Sequence, residues 1–289
     1  MTAAFFVFAP GFWENEAVHI ALVIGAAVAT VTGVVGVFTV MRGQSFAGEA
    51  LGDIGTTGGS AAALVGAGPL AGFVAVDVLA AAAMELVGVQ RVRGRDLATG
   101  VVLGAAIGLA ALFLYLDTTQ GADGGSTVTI LFGSIFAISS ATIPAVVVLA
   151  VLAVAMIVLL YRPLLLATVS PEMAAARGIP VRAVGALYLL ALALATALAA
   201  ITIGTILSTA LLIGPAATAL RLTRRPWRAM LAAAGLGLAA TWIGIVLAYD
   251  SYHWPPYEHG WPVSFFVVAL VFAIYLLSGV VEWVRERRA

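Results

Sequence analysis

The chain has 289 residues, 63% of them hydrophobic and 10% charged, with a formal net charge of zero and a mean hydropathy of +1.11. Soluble domains are ~45–50% apolar, so this composition, with apolar runs of about 20 residues recurring throughout, reads as an all-α, polytopic integral membrane protein. The chain contains neither cysteine nor lysine, which excludes disulfides, thiolate metal sites, a Walker A loop and Schiff-base cofactors.

The first stretch, MTAAFFVFAPGFWENEAVH, has no basic n-region and no small-residue cleavage site, so no cleaved signal peptide is read there. About nine transmembrane helices follow, at roughly 17–41, 46–66, 69–90, 96–116, 141–161, 183–199, 203–221, 228–249 and 263–283. They form a single transmembrane domain over residues 1–289. Every arginine between or after these spans falls on one side, from Arg42 through Arg91, Arg162, Arg177 and Arg221 to Arg288. Cytoplasmic loops attract arginine, so the N-terminus is expected outside and the C-terminus in the cytoplasm. Glu14, Glu16, Asp117, Asp123, Asp250 and Glu258 fall on the outer side, where acid favours approaching cations or is simply solvated.

His19, near the outer end of the first span, reads as an interfacial residue. The second span carries GEALGDIGTTGG, residues 48–59. Glu49 and Asp53 lie at i and i+4, on one helical face. An ionised acid near the bilayer centre costs at least ~2.5 kcal/mol, and such residues usually face a pathway. Two on one face repel unless a proton or cation is shared, and carboxylate oxygens suit hard divalent ions. The glycines and Thr56 and Thr57 that follow fit irregular backbone lining a wet cavity, or equally glycines placed for close helix packing. Asp77 in the third span lies about 12 Å from its outer end by the helical rise. It either lines the same route or bonds to the second span. Glu85 sits close to the interface and needs no special role.

The outer segment 118–140 predicts a Gly-rich loop, then a short helix over about 128–140 lying at or dipping into the outer surface. The inner loop SPEMAAARGIP (170–180) specifies a short helix. Ser170 is a good N-cap, Pro171 suits the first helical position, Glu172 favours the positive dipole end, and Gly178 stops the helix beyond Arg177. A helix framed this way suits docking, although a connector would need no more. In the last outer loop, DSYHWPPYEHGWP, Asp250, His253, Glu258 and His259 use the imidazole–carboxylate vocabulary of transition-metal contacts without a recognised ligand spacing. The prolines and tryptophans there also read as a rigid interfacial belt.

Four stretches, in the right order, resemble the membrane permease subunit of bacterial ABC transporters for manganese, zinc and iron. RGQSFAGEALGD (42–53) is similar to R-x-x-S-F-x-G-D-A-L-S-H, and LFGSIFAISSATI (131–143) to L-F-G-D-x-L-A-V-S-x-x-D-L. SPEMAAARGIPV (170–181) is similar to D-P-E-x-A-R-x-x-G-I, and IGTILSTALLIGPAATA (203–219) to V-G-x-L-L-x-x-A-L-L-x-x-P-A-A-T-A. The resemblance implies a permease in the bacterial cytoplasmic membrane, paired with a second permease copy, two cytoplasmic ATPase subunits and an extracytoplasmic metal-binding lipoprotein. ATP is then used by the partner subunit, the divalent metal is substrate, and no cofactor or nucleic acid is bound by this chain. Ser170, Pro171, Glu172, Arg177 and Gly178 become the coupling helix. Glu49 falls on the family's aspartate and Asp53 on its histidine, the pair associated with metal in the path, while Thr57 replaces the following proline. An all-oxygen pair is harder than a carboxylate–imidazole pair, which favours manganese or ferrous iron over zinc. Competing readings are an ABC permease that carries a metal complex rather than a bare ion, a secondary transporter with Asp53 and Asp77 as proton carriers, and an anchoring component. An intramembrane enzyme ranks last, with no H-E-x-x-H, no G-x-S-x-G and no lysine partner for a serine.

Overall fold

The apolar runs fold as helices because, in hydrocarbon, a helix satisfies its backbone polar groups within the segment. The computed structural model describes residues 11–87, 95–120, 125–133, 135–254 and 260–286, and within them the chain is all-α with no strand. In order the helices are α1 (Glu16–Met41), α2 (Ser45–Leu64), α3 (Pro69–Val87), α4 (Arg95–Gln120) and α5 (Gly125–Phe132). Two 3-10 turns, Ile135–Ala137 and Ser140–Thr142, lead into α6 (Ile143–Leu159), α7 (Tyr161–Val169) and α8 (Pro171–Ala176). The chain closes with α9 (Val181–Ile203), α10 (Thr205–Leu222), α11 (Pro226–Ser251) and α12 (Val263–Glu286).

Eight of these, α1, α3, α4, α6, α9, α10, α11 and α12, are long and apolar enough to cross a membrane. α2 has the length, at 20 residues, but its polar content leaves it outside that set: Glu49, Asp53 and five glycines dilute its apolar surface. It nevertheless packs among the spanning helices, against α3, α4, α9 and α10. α1 and α9 form the centre, with 67% and 78% of their spanning residues buried, while α4, at 17%, lies at the edge. Close approach depends on small residues. A β-carbon at Gly33 would strike the α11 backbone at Ala233 and Ala234, and one at Gly36 would strike the Leu212 carbonyl of α10.

The structure departs from the predicted elements in three places. The short outer helix expected over about 128–140 ends earlier, as α5 (Gly125–Phe132), and the two 3-10 turns follow it. Residues 161–169, expected as loop, form α7, which buries Leu164 and Ala167. The break expected at 199–203 shrinks to one residue, because α9 continues to Ile203 and α10 begins at Thr205. Gly204 makes that turn at φ 86° and ψ 158°, a conformation open essentially to glycine alone. Its backbone packs on Gly133, just past α5, so the short outer helix is held against the α9–α10 joint.

Candidate functional site

α2 has two unlike faces. The glycines point inward: Gly48 and Gly52 meet Leu212 and Ser208 of α10, Gly58 meets the backbone of Gly72, and Gly59 meets the Phe73 ring of α3. The hydroxyls of Thr56 and Ser60 donate to carbonyls of their own helix, at 3.1 Å and 2.7 Å. α2 is therefore a regular, closely packed helix, and the expectation of irregular backbone there is corrected: the glycines serve close packing.

The other face carries the acids. Glu49 is exposed and Asp53 half-buried, and their charges lie within electrostatic reach of each other. Phe46, 44% exposed, begins the same stripe one turn earlier. Thr57 ends it, where its hydroxyl donates to the Ala106 carbonyl of α4 at 2.8 Å. Two carboxylates form an open half-site for a hard divalent cation, which takes six or more oxygen ligands when bound as calcium or magnesium is. Among the described residues, no cluster of three or more histidine, aspartate or glutamate side chains completes it. The remaining ligands have to come from water or from a facing surface.

Asp77 does not join this stripe. It is wholly buried, shares a 3.1 Å hydrogen bond with the Thr196 hydroxyl of α9, and rests against Gly55 of α2. The bond runs to α9 rather than to the second span, and the side chain has no surface on the open face. Thr196 carried no signal in the sequence, since it lies 119 residues away in an apolar helix.

Of the outer constellation, Asp250 and His253 lie within the described residues. Asp250 is buried at 1% exposure in the last turn of α11, while His253 is exposed and packs edge-on against Tyr252, with ring centroids 5.9 Å apart. His253 lies just past the end of α11, which closes at Ser251. Glu258 and His259 lie outside the described residues. Asp117 is buried as well, so among the described residues the exposed acid at this end comes from Glu14 and Glu16. A cavity of about 110 Å³ nearby, between Phe132, Phe136, Trp261 and Ser264, has no acid among the described residues that line it.

At the arginine-bearing end, α8 is framed as expected. The Ser170 hydroxyl accepts from the Met173 N–H at 3.3 Å, and Glu172 lies in the first turn. Gly178, at φ 76°, lets its own N–H and that of Ile179 return to the Ala175 and Ala174 carbonyls, at 2.9 Å and 3.0 Å. Only Ala174 of this helix is buried, while Pro171, Glu172, Met173 and Arg177 are exposed. Arg42 links this region to α2. Its guanidinium donates to Thr168 of α7 at 3.4 Å and to Gln44, just before α2, at 3.3 Å, and stacks on the buried Tyr188 ring of α9.

Comparison with known proteins bears on this arrangement. The model of the ABC 3 transport family matches residues 14–281. The chain is 35% identical over 232 residues to the manganese transport system membrane protein MntC of Halalkalibacterium halodurans, covering 80% of this chain and 78% of that one. It is 26% identical over 206 residues to the high-affinity zinc uptake system membrane protein ZnuB of Haemophilus influenzae, covering 71% and 78%. In fold it resembles a chain of PsaBC from Streptococcus pneumoniae solved in complex with Fab, with a TM-score of 0.80 at 23% identity over 93% of this chain and 92% of that one. With its all-helical, multi-pass architecture, the chain belongs to the ABC 3 transport family, as a membrane permease of an ABC transporter.

Proposed function

We propose that this permease imports a divalent transition-metal ion along the open face of α2, with Glu49 and Asp53 as the ligands this chain supplies. The observation that supports the reading is the split of α2, whose glycines all turn to neighbouring helices while its two acids stay on the uncovered side. A half-site of two carboxylates suits a pathway, because an ion held by few ligands can leave as well as enter. A second permease copy facing it would bring two more carboxylates and close the shell.

Manganese is the preferred ion, with ferrous iron next. Both acids offer oxygen only, and hard oxygen ligands suit manganese better than zinc. The naming of the relatives supports the same choice, since several of them, one at 35% identity, are called manganese systems. The arginine-bearing end faces the cytoplasm, with α2 counted as the ninth span, the N-terminus outside and α8 received by an ATPase subunit. A pair of those subunits hydrolyses ATP, and an extracytoplasmic binding protein delivers the ion at the opposite end.

Uptake of labelled manganese, zinc and iron into vesicles holding permease, ATPase and binding protein tests this directly. Glu49→Gln combined with Asp53→Asn should leave the protein folded. Manganese uptake should fall by about a hundredfold or more, since each charge-assisted contact is worth roughly 1.5–3 kcal/mol. Undiminished ATP-dependent uptake by that variant would remove the acid pair from the path.

A further inference from the structure

Asp77 is a buried acid that the path along α2 does not use, and its surroundings assign it another task. Three helices enclose its carboxyl: α3, which bears it, α9 through Thr196, and α2 through Gly55. The Thr196 hydroxyl lies 3.1 Å from Oδ2, and also 2.9 Å from the Ala193 carbonyl and 3.1 Å from the Leu192 carbonyl. Oδ1 has no hydrogen-bond partner and sits where a β-carbon on Gly55 would be. The facing groups are a glycine on α2 and a threonine on α9, and among the described residues no charged group bears on the carboxyl.

Counting protons decides its state. As a carboxylate, Asp77 would receive one hydrogen bond from Thr196 and stand as an unpaired charge in a dry site. As a carboxylic acid, it donates its own O–H from Oδ2 to Thr196 Oγ1, and the threonine proton turns to the Ala193 carbonyl. Both donors are then used and no charge is buried. Holding that proton at neutral pH works against an ordinary aspartate's affinity by roughly a thousandfold, a smaller penalty than burying a carboxylate without a cation. Oδ1, left as a carbonyl oxygen, accepts a weak contact from the Gly55 Cα–H.

We infer that Asp77 is a neutral hydrogen-bond donor that clamps α3 to α9 across the glycine face of α2, and so positions the Glu49–Asp53 pair on the open side. The positioning half rests on the path proposed above, whereas the protonated state does not. Asp77 is accordingly a positioning residue, and the acids available to a passing ion are two per chain.

Infrared difference spectroscopy of the membrane-reconstituted permease, wild type minus Asp77→Asn, reads the protonation directly. At pH 7 the wild type should show the C=O stretch of a protonated carboxylic acid, absent from the variant and unmoved when the medium is raised to pH 9. Asp77→Asn supplies an amide donor in place of the hydroxyl, so the assembled transporter should keep manganese uptake within about twofold. Asp77→Leu, similar in size but with no donor, should unfold at a lower temperature and lose uptake with it. A carboxylate band in place of the acid band overturns the inference. Loss of uptake by a well-folded Asp77→Asn also overturns it, returning the residue to the ion path. Failure of the Glu49→Gln, Asp53→Asn test would sink the path but leave the acid band in place, so the two ideas fail separately.

Discussion

At the scale of single residues, Gly55 and Asp77 show how one contact sets the face a helix presents. The Gly55 hydrogen is all that separates the α2 backbone from the Asp77 carboxyl. Gly55→Ala should therefore be destabilising. Alanine gains roughly 0.5–1 kcal/mol in helix propensity, but overpacking of a filled site costs about 1–3 kcal/mol. Thermal unfolding in detergent checks this, and the penalty should vanish in an Asp77→Ala background, where the methyl has room. Part of this was legible in the sequence. The i, i+4 spacing placed Glu49 and Asp53 together, and the glycines allowed packing as one of two readings. Thr196 was hidden, because a threonine in a Leu- and Ala-rich helix is satisfied by its own backbone unless a distant acid happens to meet it. For Asp250 and His253 the sequence showed only nearness: the first is buried in the last turn of α11 and the second is exposed just past its end.

Among elements, α8 was the most legible, since its signals are local: an N-cap serine, a proline at the first position and a glycine with positive φ just past the end. Its six residues are too few to hold as a helix without those caps. Ser170→Ala should remove about 1 kcal/mol of local stability and fray the exposed turn that includes Glu172 and Met173. With the acid pair untouched, the expected result is more ATP hydrolysed per manganese ion imported, measured in reconstituted vesicles. Unchanged stoichiometry would show that the cap is not needed for coupling. α7 was missed because YRPLLLATV is only nine residues long and carries Arg162 and Pro163 in its first turn, which reads as loop until a neighbour covers Leu164 and Ala167. The one-residue joint at Gly204 was drawn too long, since IGT holds no polar run to mark it. What permits so short a link is the glycine's open φ together with Gly133 lying against it.

For the whole molecule, composition and hydropathy were enough for the class, and the resemblance of four short stretches was enough for the family. The order of enclosure, α1 and α9 inside and α4 outside, was not readable, because α1, α4 and α9 are all strongly apolar by composition. The incomplete ligand shell is also a property at this scale. If two facing copies share one ion, a covalent tandem of a wild-type permease and a Glu49→Gln, Asp53→Asn permease should import manganese far more slowly than half the wild-type tandem's rate. A rate close to half would mean that each copy conducts on its own. The weak apolarity of α2 has a consequence for how the protein is made. Insertion machinery admits emerging segments to lipid largely by their own oiliness, and a single aspartate midway charges ~2.5–3.5 kcal/mol against entry. α2 is thus poorly equipped to leave the channel unaided, whereas α1 before it and α3 after it qualify alone. Its glycine side mates with α3 once that helix has been synthesised, so the acid-bearing segment is expected to enter the bilayer as half of a hairpin, already matched to its companion.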